Sequence, residues 1–185
     1  MVAAKQNGIS KEIQKTYCDY CRPYCFEYCV WLRPSIYFNQ SIMVIGMKKN
    51  VLVLCTGNSC RSQMAHGYLQ HFYGNEMDVY SAGIETHGVN PRAIAIMKED
   101  DIDISNHTSN NVNEYLEIPF DFILTVCDHA AENCPYIPGN AIRIHHSFSD
   151  PSKLHGTEDE IHQAFEKTRN EIKEYCANLK DKINA

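Results

Sequence analysis

Val51-Leu52-Val53-Leu54-Cys55-Thr56-Gly57-Asn58-Ser59-Cys60-Arg61-Ser62-Gln63-Met64-Ala65 is the stretch that decides how this chain folds. Its opening run, Val51–Leu54, is continuously apolar, as expected of a parallel strand buried on both faces. A Gly/Ser loop follows, and Met64, Tyr68, Leu69 and Phe72 then recur at helical spacing. Strand, tight loop and helix in that order open an α/β domain. Gly57 lets the loop turn without a Cβ in the way.

Downstream the alternation continues. Met77–Tyr80 reads as a short strand closed by a turn at Ser81-Ala82-Gly83. Pro91 opens a helix that carries Ile94, Ile96 and Met97, with proline in its favoured first turn. Phe122–Val126 is a second buried strand and Ala141–His145 a weaker one. Glu158–Ile183 reads as one long helix, with Ile161, Phe165, Thr168, Ile172, Tyr175, Leu179 and Ile183 along a single stripe. Cys176 falls on that stripe and reads as a buried structural thiol. Strands alternating with helices imply a parallel sheet covered on both sides, with sites beyond the carboxyl ends of its strands. The residues with chemistry to offer follow strands one, three and four.

Upstream the character changes. Residues 1–46 hold 8 of the 19 aromatic residues and four of the nine cysteines, and their apolar residues follow neither the strand nor the helix period. Cys18, Cys21, Cys25 and Cys29 invite a zinc or iron–sulfur reading, since the first two have knuckle spacing and all four fit one helix face. Closed zinc sites, however, separate two close pairs by a longer loop. Met47-Lys48-Lys49-Asn50 before an apolar strand is how compact α/β domains begin. The expectation is a catalytic domain over 47–185. Residues 1–46 are then an extension, disordered or not part of the native protein, such as upstream sequence read from a start set too early.

The 185 residues suffice for one domain with a sizeable core. A net charge of −6 argues against nucleic acid and anionic membrane surfaces as partners. No run of about 18 apolar residues is available to span a bilayer. Nine cysteines, an odd number, with no secretory signal, point to reduced, reactive or metal-bound thiols in the cytoplasm.

Cys55, five residues and then Arg61 is the spacing of a thiolate nucleophile cradled against an oxyanion. A loop Thr56-Gly57-Asn58-Ser59-Cys60 curling round a tetrahedral anion turns its N–H groups inward, and the following helix adds its positive end. Arg61 grips two oxygens with one planar edge. The same donors should hold the Cys55 pKa well below the free value of about 8.5, with a Ser62 hydroxyl bond to the sulfur helping. The Cys60 side chain has no evident role beyond packing.

The stretch Cys55–Ala65 resembles the loop shared by low-molecular-weight tyrosine phosphatases and thioredoxin-coupled arsenate reductases. Ser81-Ala82-Gly83-Ile84, Gly88-Val89-Asn90-Pro91 and Asp103-Ile104-Ser105-Asn106-His107-Thr108 extend the likeness from about Met47 to the C-terminus. The resemblance implies a three-layer sandwich, a four-stranded parallel sheet flanked by helices. It also implies that Cys127 and Cys134, in Cys127-Asp128-His129-Ala130-Ala131-Glu132-Asn133-Cys134, match the Cys-x6-Cys pair of the reductases. A hydrolase needs one cysteine, whereas thiol-driven reduction of arsenate needs a disulfide and hence more than one. In this reading Cys127 attacks Cys55 to expel arsenite, and Cys134 then attacks Cys127. Two residues seven apart on a helix have Cα atoms about 10 Å apart, beyond the bridging limit of about 7 Å, so the intervening turns must unwind.

Asp150-Pro151-Ser152-Lys153 lacks the tyrosines that the phosphatases carry after their Asp-Pro, which again favours the reductases. Asp150 is the expected general acid, with a turn or cap as its bland alternative. Asn58, Ser81 and Thr108 match positions that hold a structural potassium ion in some reductases, but Asn110 stands where an aspartate is expected. The nine histidines form no metal site; His66, His71, His145 and His146 read as surface or packing residues. The expectation is a monomeric cytoplasmic arsenate reductase coupled to thioredoxin, with phosphate and sulfate as competing oxyanions and no cofactor required. A phosphomonoester hydrolase using Cys55, Arg61 and Asp150 is the first alternative, and a non-catalytic oxyanion-binding module or metal sensor the second.

Overall fold

The computed structural model describes residues 48–133 and 136–184, with side chains to Asp181. The extension 1–46, its four cysteines and Cys134 lie outside the described residues.

Four strands form one parallel sheet in the order β2-β1-β3-β4, with β1 Lys49–Cys55, β2 Met77–Gly83, β3 Phe122–Thr125 and β4 Ile142–His145. The helices are α1 Arg61–Tyr73, α2 Pro91–Lys98, α3 Asp128–Asn133, α4 Glu158–Ala177 and α5 Leu179–Asn184. The unbroken apolar run of β1 has a direct cause. Val51 and Val53 face a core with Met64, Tyr68 and Leu69 of α1 and Phe165 and Ile172 of α4. Leu52 and Leu54, on the other face, pack with Val112, Phe120, Ile123 and Ile137. Alternate residues of a strand point to opposite faces, so both parities must be apolar when both faces are covered.

Two elements differ from expectation. Ser81-Ala82-Gly83 is not a turn: it continues β2 in register with Val53, Leu54 and Cys55. A Cβ on Gly83 would come within 2.3 Å of the Glu85 carbonyl and 2.7 Å of the Thr56 carbonyl, so glycine here serves close approach rather than a bend. The final helix is also not continuous. The Asn178 amide nitrogen Nδ2 donates to the Glu174 carbonyl at 2.9 Å, competing with the ladder and ending α4 before α5 begins. At its other end α4 starts in a capping box between Thr157 and Glu160.

The strand order places the site. β1 leads through α1 to β2 on one side, and β3 pairs on its other side, so the chain parts at the carboxyl end of β1. That is the switch point at which open parallel sheets bind ligands. There Leu54 pairs with Thr125, and the Val126 amide donates to the Leu54 carbonyl at 2.9 Å. Cys55 and Cys127 therefore leave adjacent strands side by side.

Candidate active site

The loop from Cys55 to Cys60 is held from outside. The Cys55, Thr56, Gly57 and Ser59 carbonyls accept from the amides of Ile84, Glu85, His87 and Asn90 respectively, at 2.9 to 3.4 Å. The Asn58 carbonyl accepts from Gln63 Nε2 at 3.1 Å. In a trans peptide the C=O and the next N–H point in opposite directions. With the carbonyls committed outward, the following N–H groups turn towards the cavity above the loop. Asn58 sits at φ 42°, the left-handed region that asparagine tolerates better than most residues. Its buried amide braces the turn: Nδ2 donates to the Ser81 carbonyl at 3.0 Å, and Oδ1 accepts from Ser62 Oγ at 2.9 Å and Gln63 Nε2 at 3.0 Å.

The cavity has a volume of about 330 Å³, with Cys55, Gly57, Ser59 and Arg61 on its floor side and His87, His129, Asp150 and Lys153 around it. Arg61 is fixed through Nη1 to the Phe148 carbonyl at 3.0 Å and Nη2 to Asp150 Oδ2 at 2.7 Å. Its Nε is, among the described residues, the buried side-chain nitrogen or oxygen left without a partner. Nε and Nη2 form one edge of the guanidinium, the edge that grips two oxygens. An orphan donor on that edge, in a cavity ringed by loop amides, is a place for an anion. Asp150 also caps the turn Pro151–Lys153, its Oδ1 accepting from Ser152 N at 3.1 Å and Oγ at 2.6 Å. The capping alternative and the place across the cavity from Cys55 thus both apply to this carboxylate.

The two thiols stand beside each other at the ends of adjacent strands, and each shifts the other's acidity. Cys55 is pushed up, first by its hydrogen bond with Cys127, then by burial and the Cys127 charge; Arg61 and the Thr56 amide oppose. Cys127 is pushed down to about 5 by the Cys55 bond, with the Thr56 hydroxyl, the Ala130 amide and Arg61 adding to it against burial. The expectation of an acidic Cys55 is opposed by its neighbour: the loop amide and Arg61 lower Cys55, but Cys127 and burial raise it, while Cys55 lowers Cys127. The Ser62 role is corrected. Its single hydroxyl proton goes to Asn58 Oδ1, one helical turn back, and not to the Cys55 sulfur. Burial pushes Cys60 up to about 12, so its side chain stays a packed thiol and only its backbone belongs to the loop. Cys176 is fully buried against the Ala65 carbonyl, as its place on the stripe implied.

Asn58, Ser81, Thr108 and Asn110 are brought together behind the loop, but their oxygens are already engaged. The Gln63 amino group donates to Asn58 O, Asn58 Oδ1 and the Thr108 carbonyl; Thr108 Oγ1 donates to Asn110 Oδ1 at 2.6 Å; Ser81 Oγ pairs with His66 Nδ1 at 3.1 Å. An N–H donor thus stands where a potassium ion would need bare oxygens, and Asn110 supplies no charge. As arranged, the set does not fit a cation. Among the described residues no three His, Cys, Asp or Glu side chains cluster for another metal. His66 is a packing histidine, its ring 4.4 Å from that of His107. His145 and His146 leave β4 on opposite faces, towards Asp128 and Tyr175 respectively.

Sequence reasoning missed three side chains. Gln63 anchors the brace, the Thr56 hydroxyl lies 3.3 Å from Cys127 Sγ, and His129 Nδ1 lies 3.5 Å from that hydroxyl. The available signal was position: Gln63 follows the loop on the buried side of α1, and His129 lies two residues past Cys127.

A cysteine loop with an arginine at its helix end, on a sheet of this order, defines a thiol-nucleophile oxyanion enzyme. The chain belongs to the low molecular weight phosphotyrosine protein phosphatase family, whose pattern matches residues 50–185. Within that family it is similar to proteins named arsenate reductase. One from Halalkalibacterium halodurans is 51% identical over 125 residues, 68% of this chain and 90% of that protein. Another from Bacillus subtilis is 48% identical over 124 residues, 67% of this chain and 89% of its own. A solved arsenate reductase in its phosphate-binding state is 31% identical, with a TM-score of 0.60 over 73% of this chain and 98% of that one. A low molecular weight protein tyrosine phosphatase from T. tengcongensis, 23% identical with a TM-score of 0.57, shares the fold.

Proposed function

We propose that this chain reduces arsenate to arsenite through three thiols, with thioredoxin returning the electrons in the cytoplasm. The observation that carries the reading is that Cys55 and Cys127 leave adjacent strands side by side, Cys55 lining the oxyanion cavity and Cys127 the adjoining one. The named relatives at about half identity support it. Arsenate sits on the loop amides and the Nε–Nη2 edge of Arg61. The Cys55 proton passes to the neighbouring Cys127, Cys55 attacks arsenic as the thiolate so formed, and Asp150 supplies a proton to the departing oxygen, which leaves as water. Cys127 then attacks Cys55 Sγ: a sulfur–sulfur bond forms and the sulfur–arsenic bond breaks. Its electron pair stays on arsenic, giving arsenite at two electrons less oxidised. Cys134 attacks Cys127, frees Cys55, and leaves the Cys127–Cys134 disulfide for a dithiol protein to reduce.

Hydrolysis of phosphomonoesters is the second reading, and the Arg61–Asp150 geometry favours it as a side activity, because phosphate shares the shape of arsenate. A Cys127→Ser variant assayed on arsenate and on an aryl phosphate separates the two. Loss of arsenate turnover with surviving phosphate hydrolysis is expected, and persistent arsenate turnover contradicts the relay. For the donor, thioredoxin with its reductase should sustain multiple turnovers; support by glutaredoxin and glutathione alone overturns that part.

A further inference from the structure

Cys127 has to be a thiolate when it attacks Cys55, yet the group that most stabilises its charge is the Cys55 S–H. That donor is gone once Cys55 is bonded to arsenic, the step just before Cys127 acts. What remains to favour the charge is the Thr56 hydroxyl at 3.3 Å, the Ala130 amide and the more distant Arg61 charge. The same Thr56 oxygen has a second neighbour, His129 Nδ1, at 3.5 Å. His129 is exposed on the first turn of α3 and lines both the cavity over Cys55 and the adjoining one of about 470 Å³ at Cys127.

We infer that His129 is a positioning residue for the second thiol: through the Thr56 hydroxyl it draws the proton off Cys127 and holds the resulting thiolate towards Cys55. The inference rests on the reading of Cys127 as second nucleophile. Its proton balance is closed. Cys127 S–H donates to Thr56 Oγ1, and the Thr56 O–H donates to Nδ1 of neutral His129. The sulfur proton passes to the Thr56 oxygen as the Thr56 proton passes to Nδ1. Cys127 becomes S⁻, Thr56 is unchanged, and His129 is an imidazolium that sheds its proton to water from an exposed ring. The hydrogen bonds then run the other way, His129 to Thr56 to sulfur, and they favour the thiolate.

The neighbouring charges leave His129 free for this. Asp128, next to it on α3, is engaged by His145 Nε2 at 3.2 Å and Ser147 Oγ at 3.0 Å. Asp150 across the cavity is engaged by Arg61 and Ser152. Arg61, Lys153 and His87 face the same space from the loop, the Pro151–Lys153 turn and the segment after β2, and the thiols Cys55 and Cys60 lie below. Arg61 lowers Cys127 as well and so favours the thiolate alongside the Thr56 hydroxyl.

The test uses the full chain. In a Cys55→Ala background, which removes the thiol donor as arsenylation does, the Cys127 thiolate is titrated by its ultraviolet absorbance against the matching Cys127→Ser chain. Adding His129→Gln should raise the midpoint by about one pH unit, a tenfold loss of thiolate. With Cys55 restored, rapid quench after one arsenate turnover should show the Cys55–Cys127 disulfide forming more slowly below that midpoint and at the parent rate above it. A purely structural role for His129 would slow the step equally at every pH. Unchanged midpoint and unchanged rates in His129→Gln overturn the inference and leave the three-thiol reading standing. Failure of the bridge to form in the parent chain overturns that reading instead.

Discussion

Asn58 is the residue whose removal has the most calculable cost. Asn58→Ala takes away the donor to Ser81 and the acceptor for Ser62 Oγ and Gln63 Nε2, at a site with no solvent exposure. Gln63 keeps its bonds to the Asn58 and Thr108 carbonyls, so its loss is small. The Ser62 hydroxyl and the Ser81 carbonyl lose a buried partner, which together costs about 3 kcal/mol. Alanine at φ 42° adds about 1 kcal/mol, for a total of about 4 kcal/mol. Asn58→Gly loses the same hydrogen bonds without the backbone cost, so it should lie about 1 kcal/mol above Asn58→Ala. Urea unfolding of the full chain reads both numbers, provided the slope is unchanged. Phosphate affinity should fall in both variants, because the loop loses the brace that sets its amides. The reasoning is refuted if Asn58→Ala lies within about 1 kcal/mol of the parent, well inside the summed hydrogen-bond cost, or if alanine and glycine are indistinguishable.

Three further outcomes follow from the same geometry. Asp150→Asn should lower kcat for aryl phosphate by about a hundredfold, the low end for a positioned acid; a fall confined to KM would assign Asp150 to holding Arg61 alone. His66 is lowered from 6.5 to about 4 by burial and then by His107. Its unfolded state therefore binds more protons between those values, so its contribution is full above about pH 6.5 and lost as pH falls towards 4, up to about 3 kcal/mol. His66→Gln should flatten that acid slope in denaturant midpoints, and an unchanged slope would remove His66 as its source. Potassium should leave the melting temperature where sodium leaves it at equal ionic strength, since Gln63 Nε2 already donates to the Asn58 and Thr108 oxygens of the set; a saturable rise specific to potassium contradicts this.

The sequence was most informative where one physical demand governs a whole segment. Two covered sheet faces require every residue of Val51–Leu54 to be apolar, and that run marks β1 without reference to anything distant. Cys55 and Arg61 were legible for a similar reason, since five residues is the span that wraps one anion. What the sequence concealed was decided by long-range pairing. Ser81-Ala82-Gly83 has turn composition, but its ladder with Val53–Cys55 makes it strand. Ser62 was assigned to the Cys55 sulfur because both belong to the loop, whereas its hydroxyl donates to Oδ1 of the left-handed Asn58 at 2.9 Å. The acidity of Cys55 was inferred from its loop alone. The neighbouring thiol, 72 positions away in sequence, raises Cys55 and is itself lowered.

The most direct test of the account is to oxidise the full chain with a single equivalent of arsenate, quench with acid, block free thiols and map the bridges by mass spectrometry over time. A Cys55–Cys127 disulfide should appear first and give way to Cys127–Cys134, with one arsenite released per chain. Arsenite released with neither bridge formed would contradict the account.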